Sequence, residues 1–283
     1  MTKTGPSSPD GIRMVKHDFS ASYNRDWPHS YLKAHLALDY IIPDRAKPVF
    51  LSIFDRYRSL RQKDRLKIID IGCSYGINAA LLRTDMSLDD LYAAYAAEDG
   101  PLAGRRSVDH RAFFESRSVG ADLHIVGVDP SERAARYARS VGLVDAIVTT
   151  DLERTEPTVP EKRALEGADI IISTGSVGYA TERTFARIYA AARISRPWVA
   201  AFVMHPYSYT DIATMLASHG LQSREVLAAR QRRFSTASEQ HGLLEVMQER
   251  GFETRLERTT GYIYASFHLS ALPDEMPDQR HRP

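Results

Sequence analysis

The apolar positions of this chain gather in short runs bounded by turn residues: Leu66 to Ile71, Leu123 to Val128, Ala146 to Thr150, Ala168 to Ser173 and Trp198 to Met204. They are apolar at successive rather than alternate positions, the pattern of strands buried on both faces of a parallel sheet. Between the runs the period changes. Ser131 to Val141 and Thr181 to Ile194 carry apolar residues three and four apart, and Gly142 stands where a helix ends in the left-handed conformation. Strand alternating with helix predicts a doubly wound α/β sheet.

Flanking segments extend this pattern. Pro48 suits the first turn of a helix running to about Gln62, and upstream lies an aromatic segment with Tyr23, Trp27, Tyr31 and Tyr40. After the last run come a polar helix from Asp211 to His219 and a stretch with Arg224, Arg230, Arg232 and Arg233, read as a solvated basic face, with binding of a carboxylate or phosphate as the alternative. A helix from about Ser238 to Arg250 stops at Gly251, and two strands, Phe252 to Glu257 and Tyr262 to Ser270, are expected to close the fold as an antiparallel hairpin. The polar ends, Met1 to Ile12 and Leu272 to Pro283, read as frayed. The expected organisation is an N-terminal helical extension over 1–62, a main domain over 63–271 with an insertion at 85–122, and a disordered tail at 272–283.

Charge narrows the partners. The chain has 283 residues with 37 Lys plus Arg against 36 Asp plus Glu, which removes the electrostatic case for a nucleic-acid or membrane-surface protein. No stretch approaches the ~18 apolar residues of a membrane span, and residues Met1 to Asp10 lack an apolar leader core. The single cysteine, Cys73, forms no internal disulfide, and no pair of the ten histidines has the i, i+4 spacing of a helical zinc site. A soluble cytoplasmic protein without a metal is expected.

The chemistry concentrates at strand ends. The first strand runs into Asp70-Ile71-Gly72-Cys73-Ser74-Tyr75-Gly76, followed by a helix start containing Asn78. Two glycines let a ligand approach the backbone, and the helix start offers unpaired N–H groups to a carboxylate or phosphate. The second strand ends in Val126-Gly127-Val128-Asp129, placing another carboxylate at the same sheet edge, where it suits the two hydroxyls of a ribose. Asp129 also suits a helix start, since Pro130 and Ser131 follow. The third run gives Thr149-Thr150-Asp151-Leu152.

At this point the chain resembles the class I S-adenosylmethionine-dependent methyltransferases. DIGCSYG is similar to that family's Asp-x-Gly-x-x-x-Gly loop, VGVDPS to its acidic loop and TTDLE to its adenine-contact segment. The resemblance covers Lys67 to Met204 well. It implies a Rossmann-like seven-stranded sheet ending in antiparallel strands, and S-adenosyl-L-methionine as cofactor. By the same resemblance Gly72 faces the methionine part, Asp129 the ribose and Asp151 the adenine amino group. The implied donor site comprises Asp70, Gly72, Cys73, Ser74, Gly76, Asn78, Asp129, Pro130, Asp151, Leu152 and Thr174. One departure stands out. The acid follows such a loop by about twenty residues in nucleotide folds, whereas here 129 minus 70 is 59. The excess, Asp85 to Asp122, reads as an inserted helical element. A nicotinamide dehydrogenase, the natural rival, needs Gly-x-Gly-x-x-Gly, which this loop lacks.

A methyl acceptor is expected beyond the fourth and fifth strands, near Ser173 to Tyr179 and His205 to Tyr209. His205 is the candidate base there, with Tyr179, Tyr207 and Tyr23 as further catalytic candidates. Ser173 to Gly178 is unlike the Asn-Pro-Pro-Tyr type of many enzymes that methylate nucleic-acid bases. Tyr23, Trp27, His29 and Tyr31 either fold over the acceptor as a lid or anchor the extension to the core. The lid reading favours a small aromatic or amino-acid-derived acceptor of indole or phenol type. A protein side chain as acceptor and a noncatalytic donor-binding subunit are the alternatives, and a homodimer is compatible with the composition.

Overall fold

A computed structural model describes residues 23–96, 100–103, 107–120, 122–192 and 195–277. The expectations for Met1 to Ile12 and for the last six residues lie outside them. The strands are β1 (Leu66–Ile71), β2 (Leu123–Val128), β3 (Ala146–Val148), β4 (Ile170–Thr174), β5 (Trp198–Met204), β6 (Gln222–Arg233) and β7 (Tyr262–Ala271). They form one sheet in the order β3-β2-β1-β4-β5-β7-β6, in which the first five are parallel and β7 runs antiparallel to both of its neighbours. This is the sheet the resemblance implies.

Alternation along the strands divides the core into two layers. Ile170, Ile172, Trp198, Ala200 and Phe202 pack with α2 (Ile42–Arg61), α3 (Ile77–Arg83), α4 (Leu88–Ala96) and α6 (Glu132–Ser140). Ile171, Val199, Ala201 and Val203 pack instead with α7 (Val159–Leu165), α8 (Glu182–Ala192) and α9 (Thr210–Ser218). Layered helices on both faces account for the apolar runs. The insertion is helical as expected, with α4 and α5 (Ser107–Glu115) beside α1 (His29–Ala37) and α6.

Four local readings change. The helix placed from Pro48 begins at Ile42, with Pro43 in its first turn and Pro48 inside it, because Ile42, Ala46, Val49, Phe50, Ile53 and Phe54 are all buried against the core. The basic stretch is β6, the edge strand: Arg230 and Arg233 are exposed on it, but Arg232 turns inward and is buried against Glu239 at 2.6 Å. Phe252 to Glu257 is not a strand: α11 (Arg255–Thr260) ends on Gly261 at φ +71°, a left-handed helix stop. The antiparallel edge pair is therefore β6 with β7, joined through α10 (Ala237–Glu249) and α11. Finally, the tail is packed as far as residue 277. Glu275 takes a hydrogen bond from Trp198 Nε1 at 2.8 Å and an ion pair from Arg61 at 2.7 Å, and Met276 is buried.

Candidate functional site

The strand order reverses between β1 and β4, the switch point at which open α/β sheets bind ligands beyond the strands' carboxyl ends. In register, Asp70 lies between Gly127 and Ile172, and Ile71 pairs with Val128, so Asp70 and Asp129 share that edge. The loop between β1 and α3 is tightly wound: Gly72, Ser74 and Gly76 all have positive φ. Gly72 is required twice over, since at φ +74° a Cβ would also stand 2.6 Å from Ser176 Cβ. Gly127 leaves room for the Cys73 side chain, whose sulfur a Cβ there would meet at 2.6 Å. Cys73 is buried, and burial, with the charges of Asp129 and Asp70, pushes its thiol well above its ordinary range. It stays protonated and inert.

Asp70 is fully buried. Its Oδ1 accepts from Asn78 Nδ2 at 2.9 Å, while its Oδ2 has no partner. Burial pushes the carboxyl up to about 7, against the Asn78 hydrogen bond and with a contribution from the Asp129 charge. Asn78 Nδ2 also reaches Thr174 Oγ1 at 3.0 Å, which ties the glycine loop's helix to the end of β4. The buried Ser74 Oγ is likewise unpartnered.

Asp129 is buried and collects three donors: the Ser74 N–H at 2.9 Å and the Tyr23 hydroxyl at 2.7 Å on Oδ2, and the Ser131 N–H at 2.8 Å on Oδ1. Burial raises it, and these hydrogen bonds oppose the rise. Asp151 is more open; it receives the Glu153 N–H at 3.1 Å, and Leu152 beside it is buried. Glu161 shapes that loop. Its carboxylate accepts the Thr149 and Thr150 N–H groups at 2.9 and 3.0 Å and completes a capping box with Thr158 at the start of α7. Burial alone would raise Glu161, but hydrogen bonds from Thr150 and Thr158 outweigh it and hold the group at about 2.

The aromatic segment divides into two sets of contacts. Trp27 packs on His110 and Tyr137, and His29 on Tyr95, which anchors the extension to the insertion. Tyr23 and Tyr31 turn the other way, onto Tyr75 and the acidic strand end. Tyr23 thus meets Asp129 rather than the loop after β4. Tyr75 holds the segment in place by accepting the Arg25 N–H at 2.8 Å and donating to the Arg25 carbonyl at 2.9 Å.

The other acceptor-side candidates separate. His205 lies between α11 and β7, with Nδ1 on Glu257 at 2.7 Å and Nε2 on Ser266 at 3.0 Å. Both ring nitrogens are engaged, so the base role read from its position finds no free nitrogen. Tyr207 packs against Gly178, where a Cβ would stand 2.5 Å from its ring, and Tyr179 is 58% exposed. Gln231, absent from every motif, is buried beside Gly175 with its Oε1 unpartnered. Among the described residues no group of His, Cys, Asp and Glu is placed to hold a metal, and no helix is long and apolar enough to cross a membrane.

No protein-family model matches the chain, and no curated protein matches it. Solved structures do. A TehB-like SAM-dependent methyltransferase from Corynebacterium glutamicum is 15% identical, over 76% of this chain and 85% of that one, with a TM-score of 0.38. Magnesium protoporphyrin IX methyltransferase from Synechocystis, with bound SAM, is 12% identical over 79% and 78%, at 0.39. A 16S rRNA adenine methyltransferase from Catenulisporales acidiphilia is 14% identical over 79% and 93%, at 0.37. At these values the chain's own strand order, glycine loop and acidic strand ends carry the assignment, and what they establish is the class I methyltransferase fold.

Proposed function

We propose that the protein is an S-adenosylmethionine-dependent methyltransferase acting on a small, flat acceptor of aromatic or amino-acid-derived type. The observation that carries the donor is the orphaned Asp70 Oδ2, fully buried beside a left-handed glycine loop at the switch point. A buried acceptor without a partner costs stability unless a ligand satisfies it. Asp70 would hold the ammonium of the donor's methionine part, with Gly72 and Ser74 alongside; Asp129 would hold the ribose, and Asp151 and Leu152 the adenine. When bound, the donor supplies a methyl group already activated on a sulfonium. The chain's own part is to hold donor and acceptor in line and keep water out.

The aromatic segment supports the small acceptor. Tyr31 packs on Tyr75 of the glycine loop, ring centroids 5.3 Å apart, and the Tyr40 hydroxyl lies 3.5 Å from the Thr174 carbonyl at the end of β4. Balanced charge speaks against a polyanionic acceptor. Calorimetry with S-adenosylhomocysteine tests the donor: micromolar-range binding is expected, weakened about tenfold or more in Asp129→Ala, which deletes charge-assisted hydrogen bonds. Equal affinity in the variant would refute the ribose assignment. With methyl-labelled donor in a whole-cell extract, label is expected in small molecules; label confined to protein would refute that acceptor class.

A further inference from the structure

Gln231 sits where β6 loses register with β7, between Arg230 and Arg232. Its backbone is pinned, since its carbonyl accepts the Ile41 N–H at 2.8 Å. The side chain is 5% exposed and turns to the loop after β4: a Cβ on Gly175 would stand 2.6 Å from Gln231 Nε2. Gly175, at φ +82°, therefore leaves the space the amide fills. Gln231 Oε1 has no partner. A hydrogen-bonded run, Asp70–Asn78–Thr174, leads along the sheet edge to Gly175. Asp70 Oδ2 is the orphaned acceptor of that run, and Gln231 Oε1, beside Gly175 one residue past Thr174, is a second orphaned acceptor outside it.

We propose that Gln231 is the hydrogen-bond acceptor for the methyl-accepting group, which is consequently an N–H or O–H rather than a carbon or a thioether sulfur. This rests on the methyltransferase reading. A buried amide oxygen selects strongly against a partner lacking a donor, because its hydrogen bond would stay unmade. The nucleophile's lone pair forms the bond to the methyl carbon as the carbon–sulfur bond breaks and its electron pair returns to sulfur. The proton resting on Gln231 leaves for water afterwards, since an amide is too weak a base to keep it. Gln231 is thus a positioning group for the nucleophile.

The proposal can be tested without knowing the acceptor. Sinefungin carries an amine-bearing carbon in place of the methylated sulfur, so its amine probes the point of transfer, and S-adenosylhomocysteine is the comparison that lacks it. Calorimetry on the full chain should show sinefungin binding about tenfold more tightly than S-adenosylhomocysteine, the gain of one charge-assisted hydrogen bond. Gln231→Met should abolish that advantage and leave S-adenosylhomocysteine affinity unchanged; Gln231→Glu, which keeps an acceptor and adds charge, should widen it. No advantage in the parent protein, an advantage that survives Gln231→Met, or no widening in Gln231→Glu each overturns the proposal, the last even if the Met variant fails to fold. Failure of both ligands to bind the parent protein overturns the donor reading itself.

Discussion

A carboxylate has room for about four hydrogen bonds, and Asp129 already accepts three, one of them from Tyr23. On the proposed ribose role two hydroxyls need two places, so Tyr23 and the donor would compete for Asp129. Tyr23→Phe removes the competitor's hydrogen bond and should tighten S-adenosylhomocysteine binding several-fold, to about tenfold; weaker binding would show that Tyr23 contacts the donor directly. Asp70 gives a pH signature. Its carboxyl is held at about 7 in the fold against an ordinary 3.8, so between those values the folded protein keeps a proton that the unfolded chain has lost. Stability attributable to Asp70 therefore falls as pH rises from about 4 to about 7. Asp70→Asn should raise the melting temperature at pH 8 and change it little near pH 4, while weakening donor binding; the same shift at both pH values would sink this assignment. Asp70, Gly72 and Asp129 were legible in the sequence because each lies in a contiguous strand-to-loop motif. Gln231 was not, because Gly175, which it packs beside, lies in the loop after a distant strand and no local signal joins them.

At the scale of elements, β6 shows how an edge strand escapes notice. Its arginines read as a solvated face, yet charged side chains are what an edge strand carries to avoid pairing with other chains. Arg230 and Arg233 lie over the Tyr262 ring, and Arg232 turns inward to Glu239. Arg232→Leu strands a buried carboxylate and should cost about 3–5 kcal/mol in chemical denaturation, whereas replacing both partners by apolar residues should cost much less. Comparable losses in the single and double variants would show that the pair itself stabilises. The capping box of α7, Thr158 with Glu161, is a contact between near neighbours in the chain. Its tie to Thr149 and Thr150 appears only in the fold. Because Glu161 is held at about 2 against an ordinary 4.5, its contribution is present above about 4.5 and is lost as pH falls through 2. Glu161→Gln should cost about 1–2 kcal/mol at pH 7 and progressively less below pH 4; a cost independent of pH would tell against the charged cap.

For the whole molecule, the proposed donor site would be tied to the segment from Tyr23 to Tyr40, which meets Asp129 through Tyr23 and the end of β4 through Tyr40. S-adenosylhomocysteine at a hundred times its dissociation constant should stabilise the fold by about 2.7 kcal/mol. At roughly 2–4 °C per kcal/mol for a large domain, that is about 5–10 °C in melting temperature. No shift at that saturation would contradict a donor site in the native state. The same segment also rests on the insertion, through Trp27 on His110 and His29 on Tyr95.

The sequence alone determined the α/β class, all five parallel strands to within two residues at either end, the glycine loop and the acidic strand ends. Each of these is set by neighbours in the chain: a run of apolar residues, a glycine needing positive φ, a carboxylate at a strand end. Only the tertiary structure decided that Tyr23 rests on Asp129, that His205 is taken up by Glu257 and Ser266, that Arg232 is buried, and that Gln231 faces Gly175. Those contacts join residues from distant elements, and packing and burial, rather than local spacing, choose which polar groups meet.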